Sequence, residues 1–320
     1  MRVTLPNRSY LNDIERFLRC VEDDGKDDLS FVLPDGLFSV HPLVVCLIAA
    51  MGEAARAAGG NVLLENETIN SSTRYLERMG LFELLGVQSA ITITHPAEPA
   101  GRFVPLKQIR TNGELNAFVL DVGPLLHASP EQTRAVKYVL FEMIRNVLEH
   151  SGAQGGAYVA AQVARSSGRL LLGVADAGRG VKESMSFSHQ VFDHRHAIEL
   201  AFRPGVTGTT SRFGGNETNG GAGLFFMKAM VATARHHMVM VTGDYQMKLL
   251  SQRGRALQPR IEDDRVTWAQ YPQAFPGTAV GVDLTINEDV GFDTLLTDIR
   301  NAYGFGVKQA KKTKYKARFK

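Results

Sequence analysis

The residues best suited to chemistry fall in three stretches of the chain. Glu142 and Asn146 lie on a segment that reads as a helix running to His150. Val136, Leu140, Met143, Ile144 and Val147 recur there at helical spacing and should face a core. At 100° per residue Glu142, Asn146, Glu149 and His150 gather on a neighbouring face, so a carboxylate and a carboxamide project together beside that core. The second stretch is Asp176-Ala177-Gly178-Arg179-Gly180, an acid at the end of the apolar run 170–175 followed by two glycines, a turn that lets a ligand approach the backbone. The third runs from Thr207-Gly208-Thr209-Thr210 through Gly214-Gly215 to Asn219-Gly220-Gly221-Ala222-Gly223-Leu224, where a helical pattern begins. Glycines that open a helix expose its first amides to an anion, as in phosphate binding.

The pattern of elements that must hold these residues is α/β. In residues 1–120, strands are expected at 29–33 and 61–64. Helices are expected at 42–58, stopped by Gly59-Gly60, and at 71–79, stopped by Gly80. A second unit starts near Ser129, whose Ser-Pro-Glu sequence suits a helix cap and first turn. Strands are expected at 157–164, 170–175, 238–242 and 279–286, with a helix from about 222. The alternation implies an α/β sandwich. Residues 251–264 are polar and read as a solvated connection.

In order and spacing, "EMIRN", "DAGRG" and "GGAGL" resemble the N box and two glycine boxes of the GHKL ATPases, the group that holds gyrase-type topoisomerases, heat-shock chaperones, histidine kinases and mismatch-repair ATPases. The resemblance covers residues 129–287. Gly277-Thr278 is similar to the Gly-Thr that enters a late strand in that family, and the chain has no P-loop sequence. The resemblance implies a Bergerat-type α/β sandwich, a mixed sheet with a helical layer, over residues 129–290. It implies ATP and Mg²⁺ as ligands. Asn146 would coordinate the ion, and Glu142 would be the general base that orients water or a protein hydroxyl toward the γ-phosphate. Asp176 would accept a hydrogen bond from the adenine amino group, supported by Thr278. Gly178 and Gly180 would admit the nucleotide to the backbone. Gly221, Gly223 and Leu224 would offer amides to the phosphates, and residues 205–219, with Thr207, Thr209 and Asn219, would form a lid.

Residues 28–87, "DLSFVLPDGLFSVHPLVVCLIAAM", "AGGNVLLE" and "STRYLERMGLFELL", resemble STAS domains, which implies that residues 1–120 form a STAS-like α/β unit for interaction or homodimerisation. In STAS proteins a phosphorylatable serine begins the helix after the strand. The equivalent here is Ser39-Val40-His41-Pro42, where Ser39 is expected to cap the helix. Together the two resemblances imply ATP hydrolysis, or transfer of the γ-phosphate to serine or histidine of a protein, in bacterial signalling or partner switching. The alternatives are a noncatalytic ATP-gated switch and a nucleic-acid effector.

Composition narrows the field further. The chain has 320 residues, 44% apolar and 22% charged, with 31 glycines, enough for two modest cores. The formal charge is +3, but KKTKYKARFK at the C-terminus carries six Lys/Arg and no acid, so residues 1–310 stand at −3. Residues 291–320 read as a helix and basic tail, whose interleaved Tyr315 and Phe319 suit nucleic-acid phosphates and bases. The longest apolar run, residues 42–51, falls short of the ~20 a membrane span needs, and polar residues interrupt the N-terminus where a secretory segment would be apolar, so a cytoplasmic protein is expected. Cys20 and Cys46 have no ligand spacing and read as buried thiols. His189, Asp193, His194 and His196 cluster in sequence, but His194 and His196 are two apart and do not share a helix face, which argues against zinc. His236-His237 is expected to end a helix.

Overall fold

The structure is a computed structural model that describes residues 1–89, 91, 103–127, 130–164, 167–208, 223–233, 237–250, 258–284 and 292–316. In chain order the elements are β1 (Arg2–Thr4), β2 (Arg8–Ser9), α1 (Glu15–Leu18), β3 (Val21–Glu22), β4 (Leu29–Val32), β5 (Ser39–Val40), α2 (Pro42–Ala57), β6 (Val62–Leu64), α3 (Ser71–Arg78) and α4 (Leu81–Leu85). They continue as β7 (Phe103–Ile109), α5 (Asn112–Leu126), α6 (Pro130–Asn146), β8 (Ala157–Ala164), β9 (Arg169–Asp176), α7 (Gly180–Ser186), α8 (His194–Ala201), α9 (Gly223–Thr233), β10 (His237–Leu250), β11 (Val266–Leu284) and α10 (Phe292–Lys316).

A small mixed sheet has the order β3-β1-β4-β6, with β1, β4 and β6 parallel and β3 antiparallel. The larger sheet, β10-β11-β9-β8-β7, is antiparallel at every pairing, not mixed as expected. β7 falls inside the expected first unit and α5 straddles its end, yet β7 pairs with β8, and Val104, Ile109, Leu115, Phe118 and Val122 bury in the same core as α6. No helix among the described residues is long and apolar enough to cross a membrane.

The larger sheet is covered on both faces. Val159, Leu172, Val174, Met240 and Val280 point to one core, with α6 and α9; Tyr158, Ala160, Ala175, Val241 and Ala279 point to the other, with α2. Burial of both faces explains why β9 reads as a continuous apolar run rather than an alternating one. On the α2 face the floor is made of small residues: Ala160 pairs with Gly173 and Gly173 with Gly281. A Cβ on Gly173 would overlap the Leu43 backbone, and one on Gly281 would press on the Leu11 and Leu43 side chains at 2.6 and 2.7 Å. The helix therefore comes close enough for the Cys46 thiol to donate to the Gly173 carbonyl at 3.4 Å. Residues Leu43, Val44, Val45, Cys46, Leu47 and Ile48 are all fully buried, each large side chain contributing ~1.5–3 kcal/mol.

Helix α2 is capped by His41, not by Ser39, which is exposed on β5. The His41 Nδ1 accepts from the Leu43 N–H at 3.0 Å, so the proton resides on Nε2, which donates to Asp283 Oδ1 at 2.9 Å. Pro42 at the first helical position needs no N–H partner. Ser39 misses the cap because the strand β5 runs through it, and the ring two residues later reaches the helix amide.

Three further expectations change. His237 opens strand β10 instead of ending a helix, and His236 lies outside the described residues. The described part of 251–264 is not simply solvated: Ile261 is buried, and Lys228 of α9 donates to Asp264 Oδ2 and the Gln258 carbonyl, each at 2.6 Å. Both side chains of that ion pair are almost completely buried, an anchor that a polar sequence conceals. Cys20 lies half-buried just after α1, whereas Cys46 is buried inside α2.

Candidate functional site

On the α6 side of the larger sheet a cleft enclosing about 990 Å³, counting its open mouth, is lined by Glu142, Asn146, Asp176, Gly180, Thr207, Gly223, Leu224 and Thr278. Its inner wall is apolar, with Met143, Val147, Val174, Met185, Met227, Met240 and Val280, while Glu142, Arg145, Asn146, Glu149 and His150 supply polar groups. An apolar cleft with a few converging polar groups is the usual form of a small-molecule site.

Asp176 ends β9 opposite Thr278 on β11. Its carboxylate accepts the Gly178 N–H at 2.8 Å and the Thr278 backbone N–H. Burial nevertheless dominates and pushes its pKa up to about 7. Two glycines are sterically required around it. Gly277, at φ +109°, packs on the Asp176 carbonyl, and Gly178 packs on the Ser151 carbonyl, where a Cβ would overlap. Gly178 thus stands behind the acid rather than in the cleft wall. Gly180, at φ +72°, does line the cleft.

Glu142 and Asn146 project from α6 into the same space. Burial raises the Glu142 pKa, Arg145 opposes the rise and Glu149 adds to it. The Asn146 side-chain amide nitrogen is buried without a hydrogen-bond partner, and a buried orphan of that kind calls for a ligand. Gly223, the first residue of α9, abuts both: a Cβ there would strike Glu142 Oε2 and come within 3.8 Å of Asn146 Nδ2. Two motifs separated by some eighty residues are therefore in direct apposition.

Several residues that pattern reading missed hold this arrangement. Directly after Asn146 the helix widens into a π turn, Val147–Ser151, closed by Gly152 in the left-handed region at φ +64°. The Ser151 carbonyl at its end accepts from the Arg179 backbone N–H at 2.9 Å and from Arg179 Nε at 3.2 Å, which fastens the Asp176 turn to the Asn146 helix. Thr242, fully buried on β10, donates to the Gly277 carbonyl at 2.9 Å and accepts from the Val181 N–H at 3.0 Å, which ties the start of α7 to the interior of β11, where Gly277-Thr278 lie instead of at a strand entry. None of these has a local signature, since an arginine in a turn or a threonine in a strand is ordinary by itself. His150 also lines the cleft, and burial depresses its pKa.

Thr207 lies in the wall, its carbonyl bonded to His189 Nε2 at 2.9 Å and Ser188 Oγ at 3.1 Å. Thr209, Asn219 and Gly221 lie outside the described residues. The clustered histidines serve separate partners: besides His189, His194 bonds Asp244 and His196 stacks on Phe192 at 4.8 Å, while Asp193 caps α8 through the His196 N–H at 2.7 Å.

The chain matches no protein-family model and no curated protein sequence.

Proposed function

We propose that the chain binds ATP with Mg²⁺ in the α6-side cleft and either hydrolyses it or passes its γ-phosphate to a protein, as GHKL-type enzymes do. The observation that carries the reading is the convergence of Asp176, Thr278, Glu142, Asn146 and Gly223 on one cleft, from four separate elements. Gly223 lies directly against Glu142 and Asn146, and the remaining lining is largely apolar.

In this reading Asp176 accepts the adenine amino group. Its raised pKa makes the acceptor strongest once pH exceeds about 7. The apolar side chains take the purine, and the Gly223 end of α9 supplies amides to the phosphates. Glu142, whose burial brings it closer to neutrality as a base, takes the proton of the attacking water or hydroxyl. The donor set suits Mg²⁺, which prefers phosphate oxygens, waters and only one or two protein ligands: the Asn146 carboxamide would offer its Oδ1 to the ion, leaving the buried, unpartnered Nδ2 to donate to a phosphate oxygen. Asn146 would hold the ion, which when bound neutralises charge on the phosphates.

The test is calorimetric titration with ATP and Mg²⁺, paired with a phosphate-release assay. Binding is expected in the wild type and lost in Asp176→Asn; equal affinity in the two proteins would refute the assignment. Glu142→Ala is expected to retain ATP and release no phosphate. If the wild type binds ATP but neither releases phosphate nor labels a partner, the site acts as a nucleotide-gated switch.

A further inference from the structure

The C-terminal helix α10 lies beyond the segment expected to bind the nucleotide, yet Ile299 is fully buried in the core shared by α6 and α9. Its main contact with α9 is aromatic. The Tyr303 ring lies 5.7 Å from Phe225 and 5.9 Å from Phe226, and Phe226 in turn lies 6.0 Å from Tyr138 of α6. Ring pairs at this separation attract beyond the area that they bury. The hydroxyl of the same Tyr303 takes the backbone N–H of Gly205, a bond that opposes the upward push of burial on its pKa. Gly205 stands in the left-handed region at φ +76°. One turn further along α10, Gly306 is buried against Pro204, where a Cβ would come within 2.9 Å of the proline ring. Glycine weakens a helix interior, and at this position it lets α10 rest on the chain just before the cleft wall.

Both segments that Tyr303 touches continue directly into the nucleotide cleft. Gly205 precedes Val206, Thr207 and Gly208 in the wall, and Phe225 follows Gly223 and Leu224. Tyr303 itself does not line the cleft. Groups on two segments bind one ligand well only when their spacing is fixed beforehand, and a side chain held by both segments fixes it.

We propose that Tyr303 is a positioning residue of the cleft: its hydroxyl holds the chain that leads into Val206, its ring holds the start of α9, and together they set the spacing of these two parts of the wall. The identity of the ligand rests on the nucleotide reading; the contacts of Tyr303 do not.

The test compares the wild-type chain with Tyr303→Phe, which keeps the ring and loses the bond to Gly205, and with Tyr303→Ala, which loses both. In calorimetric titration with ATP and Mg²⁺, Tyr303→Phe should bind about fivefold more weakly and Tyr303→Ala roughly tenfold or more, each at the stoichiometry of the wild type. A residue that served stability alone would lower the unfolding temperature or the fraction of competent molecules and leave the affinity of the folded ones unchanged. Hydrogen exchange on the free proteins gives a reading independent of the ligand. Tyr303→Phe should speed exchange in a peptide covering 203–208, Tyr303→Ala in that peptide and in one covering 223–227, and neither variant in one covering 176–181. Unchanged ATP affinity in Tyr303→Phe, or unchanged exchange over 203–208, overturns the role. A wild type that binds no ATP, with exchange over 203–208 raised in Tyr303→Phe, refutes the nucleotide reading instead and leaves Tyr303 holding the wall for another ligand.

Discussion

On the α2 face of the larger sheet, Ala160, Gly173 and Gly281 make a floor so low that a helix backbone rests on it, and a neutral His41 caps that helix while bonding Asp283 across the seam. On the opposite face the same strands carry Val174, Met240 and Val280 beneath an open cleft, where Asp176 is buried with a raised pKa and Asn146 keeps an unpartnered amide. On the first face the cap and the thiol of α2 find their partners within the protein, His41 on the Leu43 N–H and Asp283, Cys46 on the Gly173 carbonyl. The other leaves polar capacity unspent beside apolar surface, a combination that costs stability and is retained where a ligand completes it. The close packing of α2 on the sheet buries the helix within the protein's own core. His41 is buried, and Ser39 is the exposed hydroxyl of that turn.

Substitutions that hit one face should therefore move one property and spare the other. The largest effect is expected for Glu142→Ala, which should reduce phosphate release by roughly 10²–10⁴-fold, the range for loss of a general base, without lowering the unfolding midpoint. A comparable loss of stability from this substitution would make Glu142 a structural residue. Gly173→Val should do the reverse. Forcing a branched side chain against the Leu43 backbone is expected to cost about 3 kcal/mol, read from denaturant midpoints, as α2 lifts from the sheet.

Asp176→Asn comes next and carries a pH signature. Because the folded-state pKa of Asp176 is raised to about 7 from the ordinary carboxylate range near 3.8, ionisation destabilises the folded wild type. The penalty is absent below pH 4, grows as pH rises through the window from about 4 to 7, and is complete above it. The variant lacks it, so its stability advantage over wild type should increase across that window while ATP binding is lost. In the wild type, ATP affinity should fall as pH drops below about 7; a flat profile from pH 8 to 6 would remove Asp176 from the base-binding role. The smallest effect on ATP is expected for His41→Ala, which removes the cap and the buried bond to Asp283 and should cost about 2 kcal/mol of stability with ATP affinity unchanged. A matching loss of affinity would show that the two faces are coupled through the strands they share.

Much of this was legible along the chain because the relevant physics is local. The helix from Pro130 to Asn146 follows from its periodicity, β9 from its apolar run, and the turn after Asp176 from its two glycines. Glu142 and Asn146 share a face by helical geometry alone, so their pairing needed no structure. The glycines carried an ambiguity that only space resolves: Gly178 and Gly180 both read as ligand-admitting positions, yet Gly178 makes room for the Ser151 carbonyl while Gly180 lines the cleft. Gly173 and Gly281 sit inside strands, where nothing in sequence tells that they meet across a register and admit a helix.

The sequence by itself determined the alternation of elements and the residue types in each candidate motif, since periodicity, capping and turn chemistry act within a few residues. Tertiary structure alone decided that β7 joins the larger sheet and α5 the core beneath it, that α2 seals one of its faces, that Lys228 and Asp264 form a buried pair, and that Gly223 meets Glu142 and Asn146. Each of those depends on pairing or packing between segments tens of residues apart, where the deciding quantity is the volume and charge of a distant neighbour.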